Sequence, residues 1–250
     1  MILSNDNKYD STRRKELKID EFTSVEHPFM EQLKELKWNE GENEVIELKM
    51  QQQPSESFRT SFSQVVLEPK LRKSLKKINP FLTDGQIDEV VNRITAHPGG
   101  TLIENNERIY NLLVQGTSVS RNEETGELSP SVQYIDFENP ENNIFTAISQ
   151  FKVSIPGTDH HIIPDITLFL NGLPIVVVEA KSPKVSEPIP EAIDQLMRYS
   201  EQRDDVGEGV PELFYYNQFI VATCRNKAKA GTITTHREKY FYRWTDPYPM

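Results

Sequence analysis

The segment 164–181 restricts the fold of this chain more than any other. Two apolar runs within it flank the dipeptide Asn171-Gly172, which is the strongest short-range signal for a β-hairpin. Asp165 begins the first run, and Glu179 and Lys181 follow the apolar stretch of the second. Because side chains two apart in a strand point to the same face, Glu179 and Lys181 are predicted to lie side by side. Charged groups at the end of so apolar a strand are costly to bury unless they are paired or bind a metal ion.

The length of the turn decides whether Asp165 and Glu179 can act together. A strict two-residue turn would place Asp165 opposite Val178 and would point Glu179 to the other face of the sheet. A three-residue loop (171–173) or one β-bulge would instead bring Asp165 opposite Glu179. We therefore predict an odd-numbered loop or a bulge between these two residues, with both carboxylates able to reach one ion.

Helical periodicity precedes the hairpin. A first helix is predicted to begin near Thr23, which has capping-box spacing with Glu26, and Phe29, Leu33 and Leu36 would line its apolar face. Three more helices are predicted at 70–78, 83–96 and 101–115. The first of these three carries a run of lysine and arginine residues that forms a solvated face or, at best, a DNA-facing patch.

From residue 117 the hydrophobic period changes from helical to strand-like. Besides a short strand at 45–48, strands are predicted at 131–137, 144–155, 162–170, 174–181, 218–223 and 232–243, and a helix at 187–202. This order predicts an α/β or α+β fold with a mixed β-sheet flanked by helices and a helical part toward the N-terminus. We expect residues 1–22 to form a flexible arm and residues 23–250 one domain, with a helical insertion at about 69–116 and a core at about 117–250.

The formal net charge of −10 disfavours a free-standing DNA-binding protein, because affinity for phosphate comes from Lys and Arg. A nuclease of this charge would need bound metal ions, a local basic groove or a partner that holds the DNA. The single cysteine, Cys224, cannot form an internal disulfide, and the sequence has no secretory signal or membrane-spanning run. A soluble, cytoplasmic protein without a membrane partner is therefore expected. The sequence also lacks a P-loop for ATP.

The hairpin has the residue types that phosphodiester hydrolysis needs. The carboxylates of Asp165 and Glu179 are ligands that Mg²⁺ prefers, and the carbonyl of Ala180 can serve as a further ligand. The ion would activate water and offset charge on the phosphate, while Lys181 would orient or deprotonate the water and contact the phosphate. The alternative is a strand-end salt bridge, since Glu-x-Lys also occurs by chance, as in residues 47–49.

Several separate blocks of the chain, in order, resemble one family. The stretch with Asp165, Glu179 and Lys181 is similar to PD-(D/E)xK nucleases and, more closely, to the N-terminal domain of type I restriction enzyme R subunits. The other blocks that carry the resemblance are Glu26 with 29–38, 106–116, 134–143 (YIDFENPENN), 171–174, and Gln195 with Tyr199. The resemblance implies a restriction-endonuclease-like core and a Mg²⁺-dependent type I site-specific deoxyribonuclease.

The resemblance also implies partners and further parts. Type I R subunits cut unmodified foreign double-stranded DNA within a complex of methyltransferase (M) and specificity (S) subunits, and they couple cutting to ATP-driven translocation. We expect the ATP-dependent motor to be absent from this chain, which would be a fragment that ends where the family continues toward the motor. Two alternatives stay open: an inactive docking module that joins the motor to the methyltransferase core, and a stand-alone nuclease of the same superfold.

Three further sets of residues each have two interpretations. Gln195 and Tyr199 are neighbours on one helix face. The resemblance implies that this helix organises the site or contacts DNA, and the alternative is an ordinary helix whose tyrosine packs at its rim. Glu26 would complete the metal site, as the resemblance implies, or would only cap its helix. His160 and His161 would be metal ligands or, as we favour, residues of a loop or strand edge.

Overall fold

The computed structural model describes residues 21–121, 126–203, 205, 207–225 and 227–244. A π-helical turn at Phe22–Glu26 runs directly into the first of the α-helices, which are α1 (His27–Glu35), α2 (Glu68–Ile78), α3 (Asp84–Thr95), α4 (Leu102–Gln115), α5 (Pro188–Tyr199) and α6 (Pro211–Tyr215). The strands are β1 (Glu44–Ile46), β2 (Thr117–Ser118), β3 (Ser131–Val132), β4 (Phe145–Ser149), β5 (Val153–Ser154), β6 (His161–Ile162), β7 (Ile166–Leu170), β8 (Leu173–Ala180), β9 (Phe219–Cys224), β10 (Lys227–Gly231) and β11 (Tyr242–Arg243). Short 3-10 turns lie at Pro54–Ser57, Pro140–Asn142 and Glu238–Tyr240.

Seven of the strands form one mixed sheet in the order β1-β4-β7-β8-β9-β10-β11. The pairs β1–β4 and β8–β9 are parallel, and the other neighbouring pairs are antiparallel. The crossover from β8 to β9 contains α5, as parallel neighbours require a long connection. Two small antiparallel sheets, β2–β3 and β5–β6, accompany the main sheet. The predicted fold class, a mixed sheet flanked by helices, is confirmed.

Helices pack on both faces of the main sheet. Helix α1 buries Met30 and Leu33 against strand residues that include Val178. The larger core joins helices α2 to α5 to the opposite face, where Val177 and Ile220 lie. Burial of each such side chain contributes about 1.5–3 kcal/mol, so both layers hold the strand ends in place. Within the described ranges, none of the helices is both long enough and apolar enough to cross a membrane.

The three helices predicted before residue 117 are confirmed as α2, α3 and α4. Thr83 caps α3 in a capping box with Gln86, and Thr101 caps α4 in a capping box with Glu104. In each box the threonine side chain accepts a backbone N–H while the partner side chain reaches back to the threonine N–H. These caps satisfy backbone groups that a helix end otherwise leaves without partners.

The β7–β8 hairpin has the register that a shared site requires. Its turn at 171–172 consists of two residues with positive φ, 54° and 81°. The register then shifts by one residue near the middle of β7, and from there the strands pair Ile166 with Val178. The shift is a β-bulge, and it makes Asp165 the residue opposite Glu179. The predicted bulge between Asp165 and Glu179 is confirmed, and the alternative, a three-residue loop, does not occur.

A buried hydrogen-bond network holds the turn residue Asn171. Its side chain accepts a hydrogen bond from the N–H of Ile144 at 2.7 Å. It donates to the carbonyl of Tyr134 and to Oδ1 of Asn143, both at 2.8 Å. The block 134–143 therefore anchors the hairpin turn from outside the hairpin.

Gly172, the second residue of the turn, has no room for a side chain. A Cβ at this position would lie 2.5 Å from the carbonyl oxygen of Leu67 and 2.8 Å from the nitrogen of Leu71. We expect Gly172→Ala to lower the free energy of unfolding by more than about 2 kcal/mol, because the strain of a positive φ (about 1–2 kcal/mol) adds to these backbone contacts. Denaturant unfolding measures this loss as a lower midpoint at an unchanged slope.

The matched control is Gly157→Ala. Gly157 also has a positive φ of 75°, but no atom lies within 4 Å of the place that a Cβ would occupy there. This substitution should therefore show the cost of the backbone conformation alone. Equal losses for the two variants would contradict the close packing of the turn on the start of α2.

The first helix begins differently from the prediction. Thr23 lies inside the π-helical turn rather than at its N-cap, so the predicted capping box with Glu26 is wrong. Leu36 follows the end of α1 and is 70% exposed, so it is not part of the apolar face. Of the predicted arm, residues 1–20 lie outside the described ranges, and Phe22 belongs to the π-helical turn.

Two long predicted strands, 144–155 and 162–170, are each divided in the structure. Gln150 interrupts the first with a φ of 52°. Its N–H still donates to the carbonyl of Asp165 at 2.8 Å, so the two chain segments stay side by side across the interruption. The irregularity lies directly at the candidate site, where it turns the Gln150 side chain toward the carboxylates described below.

Two other predicted strands are largely wrong. The strand content of 131–137 is limited to β3, and that of 232–243 is limited to β11, which follows the 3-10 turn at Glu238–Tyr240. In the second segment, the N–H of Thr235 donates to the carbonyl of Thr232, and Oγ1 of Thr235 accepts from the N–H of Thr232. Such local side-chain bonds favour a turn over a regular strand.

Candidate metal centre

Two neighbouring strands bring the predicted catalytic residues to one buried place, and a third strand adds Gln150. Asp165 directly precedes β7, Glu179 lies at the end of β8, and Lys181 follows β8. Gln150 follows β4, the other neighbour of β7. No more than 6% of Asp165, Glu179 or Lys181 is exposed. Three ionisable side chains are thus buried together, as the apolar sequence around them predicts.

Asp165 is fixed by hydrogen bonds to both of its carboxylate oxygens. Oδ2 accepts from the N–H of Ala180 at 2.7 Å, and Oδ1 accepts from Nε2 of Gln150 at 3.3 Å. The same Gln150 nitrogen donates to Oε2 of Glu26 at 2.9 Å. Glu26 is 4% exposed and comes from the π-helical turn. One amide therefore joins the first helical segment to the strand that carries Asp165.

Lys181 forms an ion pair at the end of the strand, as the salt-bridge alternative predicts. Its Nζ lies 2.8 Å from Oε1 of Glu179 and 3.0 Å from the carbonyl oxygen of Ala180. This ammonium pairs with only one of the two carboxylate oxygens of Glu179. Oε2 of Glu179 is buried, and none of the described residues donates a hydrogen bond to it. An unpartnered carboxylate oxygen in the interior is costly, and a hard cation is the partner such an oxygen prefers.

Burial and mutual repulsion change the acidity of the carboxyl groups. Burial, followed by the charge of Asp165, raises the pKa of Glu26 to about 8. The same two causes raise the pKa of Glu179 well above its ordinary value. Burial also raises the pKa of Asp165, although Lys181 and the N–H of Ala180 oppose that change. With Glu21, which is described below, four carboxyl groups lie close together. Their raised pKa values mean that they bind protons, or another cation, more readily than isolated carboxylates do.

Lys181 stays an ammonium in this environment. Burial alone would lower its pKa, but the charges of Glu179, Asp165 and Glu21 outweigh burial and raise it. A side chain that holds its proton so firmly can donate hydrogen bonds to a water molecule or a phosphate oxygen. Of the two predicted roles of Lys181, orientation therefore fits this environment better than proton abstraction.

Glu21 was missed by the sequence analysis, which placed it in the N-terminal arm. Its Oε2 accepts from the N–H of Ser182 at 2.9 Å, directly after Lys181. Burial raises the pKa of Glu21 to about 7. One oxygen each of Glu21, Glu26 and Asp165 lies within 4.8 Å of the other two. No sequence pattern links Glu21 to the hairpin, because only the fold brings the two segments together.

The helix neighbours Gln195 and Tyr199 contact each other as predicted. Nε2 of Gln195 donates to the hydroxyl of Tyr199 at 2.5 Å, and that hydroxyl donates to the carbonyl of Ile163 at 3.3 Å. Tyr199 is 3% exposed. Burial and the charges of Glu179 and Asp165 raise its pKa. Its contacts support a role in positioning the chain just before Asp165 rather than direct contact with DNA.

The histidines and the basic helix have ordinary surroundings. His161 belongs to β6 and stacks edge-on against Phe62, with ring centroids 5.8 Å apart, which agrees with the favoured strand-edge interpretation. Four of the five basic residues of α2 are paired with acidic neighbours, and the fifth, Lys76, donates to the carbonyl of Leu82. The ion pairs are Lys70 with Glu44, Lys73 and Lys77 with Glu42, and Arg72 with Glu68 and Asp88. This helix is therefore not a free positive surface.

A mixed sheet that gathers two opposed carboxylates and a lysine at its strand ends defines a restriction-endonuclease-like domain. Residues 18–239 match the family described as Type I restriction enzyme R protein N terminus. The chain belongs to this family, and it represents an N-terminal region of a type I restriction enzyme R protein.

Named relatives agree with the family. The chain is 32% identical over 184 residues to the Type I restriction enzyme HindI endonuclease subunit of Haemophilus influenzae, an alignment that covers 73% of this chain and 17% of that protein. It is 25% identical over 233 residues to the Putative type I restriction enzyme MjaIXP endonuclease subunit of Methanocaldococcus jannaschii, which covers 93% and 21% respectively. The chain thus spans about a fifth of the length of the curated relatives it matches.

Proposed function

We propose that this chain is the metal-dependent endonuclease part of its restriction enzyme and hydrolyses phosphodiester bonds of DNA. The observation that carries the proposal is the buried convergence of Asp165, Glu179 and Lys181, in which one oxygen of Glu179 has no donor among the described residues. The names of the relatives, which are endonuclease subunits, support the same reaction.

The site residues divide the work according to their chemistry. Asp165 and Glu179 would hold Mg²⁺, with Glu26 and the carbonyl of Ala180 as further donors. When bound, Mg²⁺ supplies charge stabilisation for the phosphate and makes a water molecule more acidic. Lys181 donates hydrogen bonds that orient this water or a phosphate oxygen.

Other residues hold the site in shape. Gln150 keeps Glu26 beside Asp165 through its two hydrogen bonds. Tyr199 holds the carbonyl of Ile163, two residues before Asp165, and Gln195 fixes the tyrosine hydroxyl. Such outer contacts orient the ligands of a metal site, and their loss typically lowers affinity or activity by about 10–100-fold.

The roles of the other parts of the restriction enzyme are inferred from membership of the family. An ATP-driven motor elsewhere in the R protein would deliver double-stranded DNA, and M and S subunits would recognise the target and its modification. The acidic net charge of the chain fits this division, because other parts would then grip the DNA. A location in the cytoplasm, where DNA and ATP are available, belongs to the same proposal.

The direct test is nicking of supercoiled plasmid by the 250-residue chain at high protein concentration. We expect nicking in Mg²⁺, none in EDTA, and none with Lys181→Ala in Mg²⁺. A docking module without catalytic function would show no metal-dependent nicking, alone or in the assembled enzyme. Nicking that is equal in EDTA and Mg²⁺ would contradict metal dependence.

The stability of the metal-free chain should depend on pH in a defined direction. The pKa of Glu21 is raised from 4.5 to about 7 and that of Glu26 from 4.5 to about 8, so each favours the folded state in its protonated form. This stabilisation is full below about pH 4.5 and is lost as the pH rises through about 7 and about 8. In EDTA, we therefore expect the melting temperature to fall between about pH 4.5 and about pH 8 and to change little above that.

Mg²⁺ should reverse that fall, because it binds the ionised carboxylates and displaces protons. Its effect on the melting temperature should be larger at about pH 9 than at about pH 6, and Glu26→Gln should reduce the difference. Scanning calorimetry with and without Mg²⁺ measures both effects. A Mg²⁺ effect of equal size at both pH values would argue against these carboxylates as ligands.

The isolated chain should bind DNA weakly and without sequence preference. Its net charge is −10, and four of the five basic residues of α2 are already paired with acidic neighbours. We expect dissociation constants no tighter than about 10⁻⁶ M at physiological salt, as for nonspecific binding. Gel-shift titration with two unrelated duplexes checks this, and nanomolar binding to one of them only would contradict it.

A further inference from the structure

One edge of the main sheet holds the buried centre and also several lysines that reach the surface. The strand directions place the ends of β1, β4, β8 and β9 and the starts of β7 and β10 at this edge, which we call the strand-end edge. Asp165 and Lys181 lie near its middle, at β7 and β8. Helices cover both faces of the sheet, so a large substrate approaches the centre from this edge.

Lys49 lies at the β1 end of the strand-end edge. The residue before it, Leu48, donates from its N–H to Oγ of Ser149, the last residue of β4, at 3.0 Å. Nζ of Lys49 lies 4.4 Å from the centre of the Phe22 ring, and Phe22 directly follows Glu21. The exposed ammonium of Lys49 is therefore placed at the rim of the carboxylate group.

Lys152 lies on the same side of the centre. It is two residues beyond Gln150, whose amide donates to Asp165 at 3.3 Å. Nζ of Lys152 lies 4.7 Å from the centre of the Phe62 ring. A contact with an aromatic ring holds an ammonium in place without neutralising its charge. Lys49 and Lys152 thus present two positive charges beside the centre.

Lys227 lies on the other side of the centre. It begins β10 and pairs with Cys224, the last residue of β9. Thr223, which precedes Cys224, accepts from the N–H of Lys181 at 2.9 Å through its carbonyl. Lys227 is exposed and lies about two strand spacings, or about 10 Å, from Lys181 along the edge.

These three lysines differ from others in the chain because no carboxylate offsets their charge. Several lysines elsewhere form ion pairs at 2.7–2.8 Å, namely Lys34 with Glu47, Lys73 with Glu42 and Lys229 with Glu238. Among the residues that the structure describes, no acidic side chain forms an ion pair with Lys49, Lys152 or Lys227. Positive charges of this kind are available to bind phosphate.

The spacing of the lysines suits a DNA backbone that crosses the strand-end edge. Five strand spacings of about 4.8 Å separate β1 from β10, which is about 24 Å. Phosphates of one DNA strand advance by about 3.4 Å along the helix axis, so this distance corresponds to about seven nucleotides. The buried centre at β7 and β8 lies between the two ends of that span.

We infer that Lys49 and Lys152 on one side, and Lys227 on the other, contact DNA phosphates on opposite sides of the cleaved bond. These contacts hold the strand across a centre whose own carboxylates would otherwise repel it. The inference rests on the proposed function, because that function makes DNA the molecule that reaches this edge.

The test compares two triple variants of the 250-residue chain that have the same net charge. Lys49→Gln/Lys152→Gln/Lys227→Gln removes the three unpaired charges. The matched control, Lys34→Gln/Lys73→Gln/Lys229→Gln, removes three paired ones. Fluorescence anisotropy with a labelled duplex of about 20 base pairs measures the dissociation constant in EDTA, at salt concentrations from about 20 to about 150 mM.

The salt dependence reports the number of phosphate contacts. Each contact contributes about 0.9 to the magnitude of the slope of log affinity against log salt concentration. We expect the first triple variant to lower this magnitude by about 2–3 and the affinity at the lowest salt by at least about 10-fold, whereas the control keeps the slope of wild type. Lys49→Gln and Lys227→Gln alone should each lower it by about one.

Several results would overturn the inference. They are equal losses in the two triple variants, no loss in the first, or no binding by wild type at the lowest salt. A loss caused by Lys49 or Lys227 alone would also overturn it, since the DNA would then not cross the centre. If the first triple variant fails to fold by circular dichroism, the single variants decide.

The same experiment separates this inference from the proposed function, because EDTA excludes metal-dependent cleavage. The expected slopes without any nicking in Mg²⁺ would support the phosphate contacts and overturn the nuclease. Nicking in Mg²⁺ with unchanged slopes in the first triple variant would support the nuclease and overturn the phosphate contacts.

Discussion

Substitution of Asp165, Glu179 or Lys181 by alanine should abolish DNA cleavage by the assembled restriction enzyme, with a loss of at least about 10³-fold. Each residue makes a contact that the other two cannot replace. Asp165 and Glu179 lie opposite each other on adjacent strands, and Lys181 bonds to Glu179 at 2.8 Å. ATP hydrolysis should survive, because the proposed motor lies outside this chain. The measurement is plasmid linearisation and phosphate release from the same samples.

Folding should be kept in these variants, and this can be checked. Removal of Lys181 leaves the Glu179 carboxylate without its ion pair, but burial and Asp165 already raise the pKa of Glu179, so protonation can remove the charge. Glu35→Ala on the exposed face of α1 is the matched control and should cleave like wild type. Cleavage at the wild-type rate in any one of the three site variants would contradict the assignment of these residues as catalytic.

Asn171→Ala should cost about 3–5 kcal/mol of stability, the largest loss expected from a single side-chain truncation in the hairpin. The Asn171 side chain satisfies the N–H of Ile144 and the carbonyl of Tyr134 and also bonds to Asn143. All of these groups are buried, so each one left without a partner costs about 1–3 kcal/mol. The φ of 54° at this position adds strain, because alanine tolerates it less well than asparagine.

The control for Asn171 lies in the block that anchors the turn. Asn139 is exposed, and Asn139→Ala should change stability by no more than about 0.5 kcal/mol. Urea unfolding of both variants measures the difference. If Asn171→Ala lost as little as Asn139→Ala, the turn would not depend on the network, and the register of the hairpin would need another cause.

Local patterns predicted the hairpin correctly because they concern neighbours in sequence. The Asn171-Gly172 dipeptide predicts a turn. For Asp165 to lie opposite Glu179, the pairing of the two strands must then shift by one residue. The bulge follows from those two requirements together. Its location at Ile175 of β8 did not follow, since a bulge at many positions would bring Asp165 opposite Glu179 equally well.

The parts of the site that sequence reasoning missed depend on contacts distant in sequence. Glu21, which was missed, and Glu26, which the resemblance had suggested as a metal ligand, reach Asp165 because α1 packs across the sheet on Val178. The capping-box pattern around Glu26 competed with that arrangement and favoured the wrong local structure. Gln150 was missed because its role comes from a positive φ that interrupts a strand. No periodic pattern signals a single residue of this kind.

In the basic helix α2, the sequence suggests a function that the fold does not support. The run of lysine and arginine in α2 suggests a DNA-facing patch, but acidic residues from other segments pair with it. A sequence gives the number of charged side chains, whereas the fold determines which of them form ion pairs. The acidic residues gathered around Asp165 are the reverse case, since they lie close together near the ammonium of Lys181.

Anomalous diffraction from crystals of the 250-residue chain grown with Mn²⁺ tests the metal centre most directly. We expect a strong peak whose nearest atoms include one oxygen of Asp165 and one of Glu179, each at about 2.1 Å. The same peak should be absent from crystals of Glu179→Gln. A saturating Mn²⁺ concentration that gives no peak between these two carboxylates would contradict the metal-dependent nuclease.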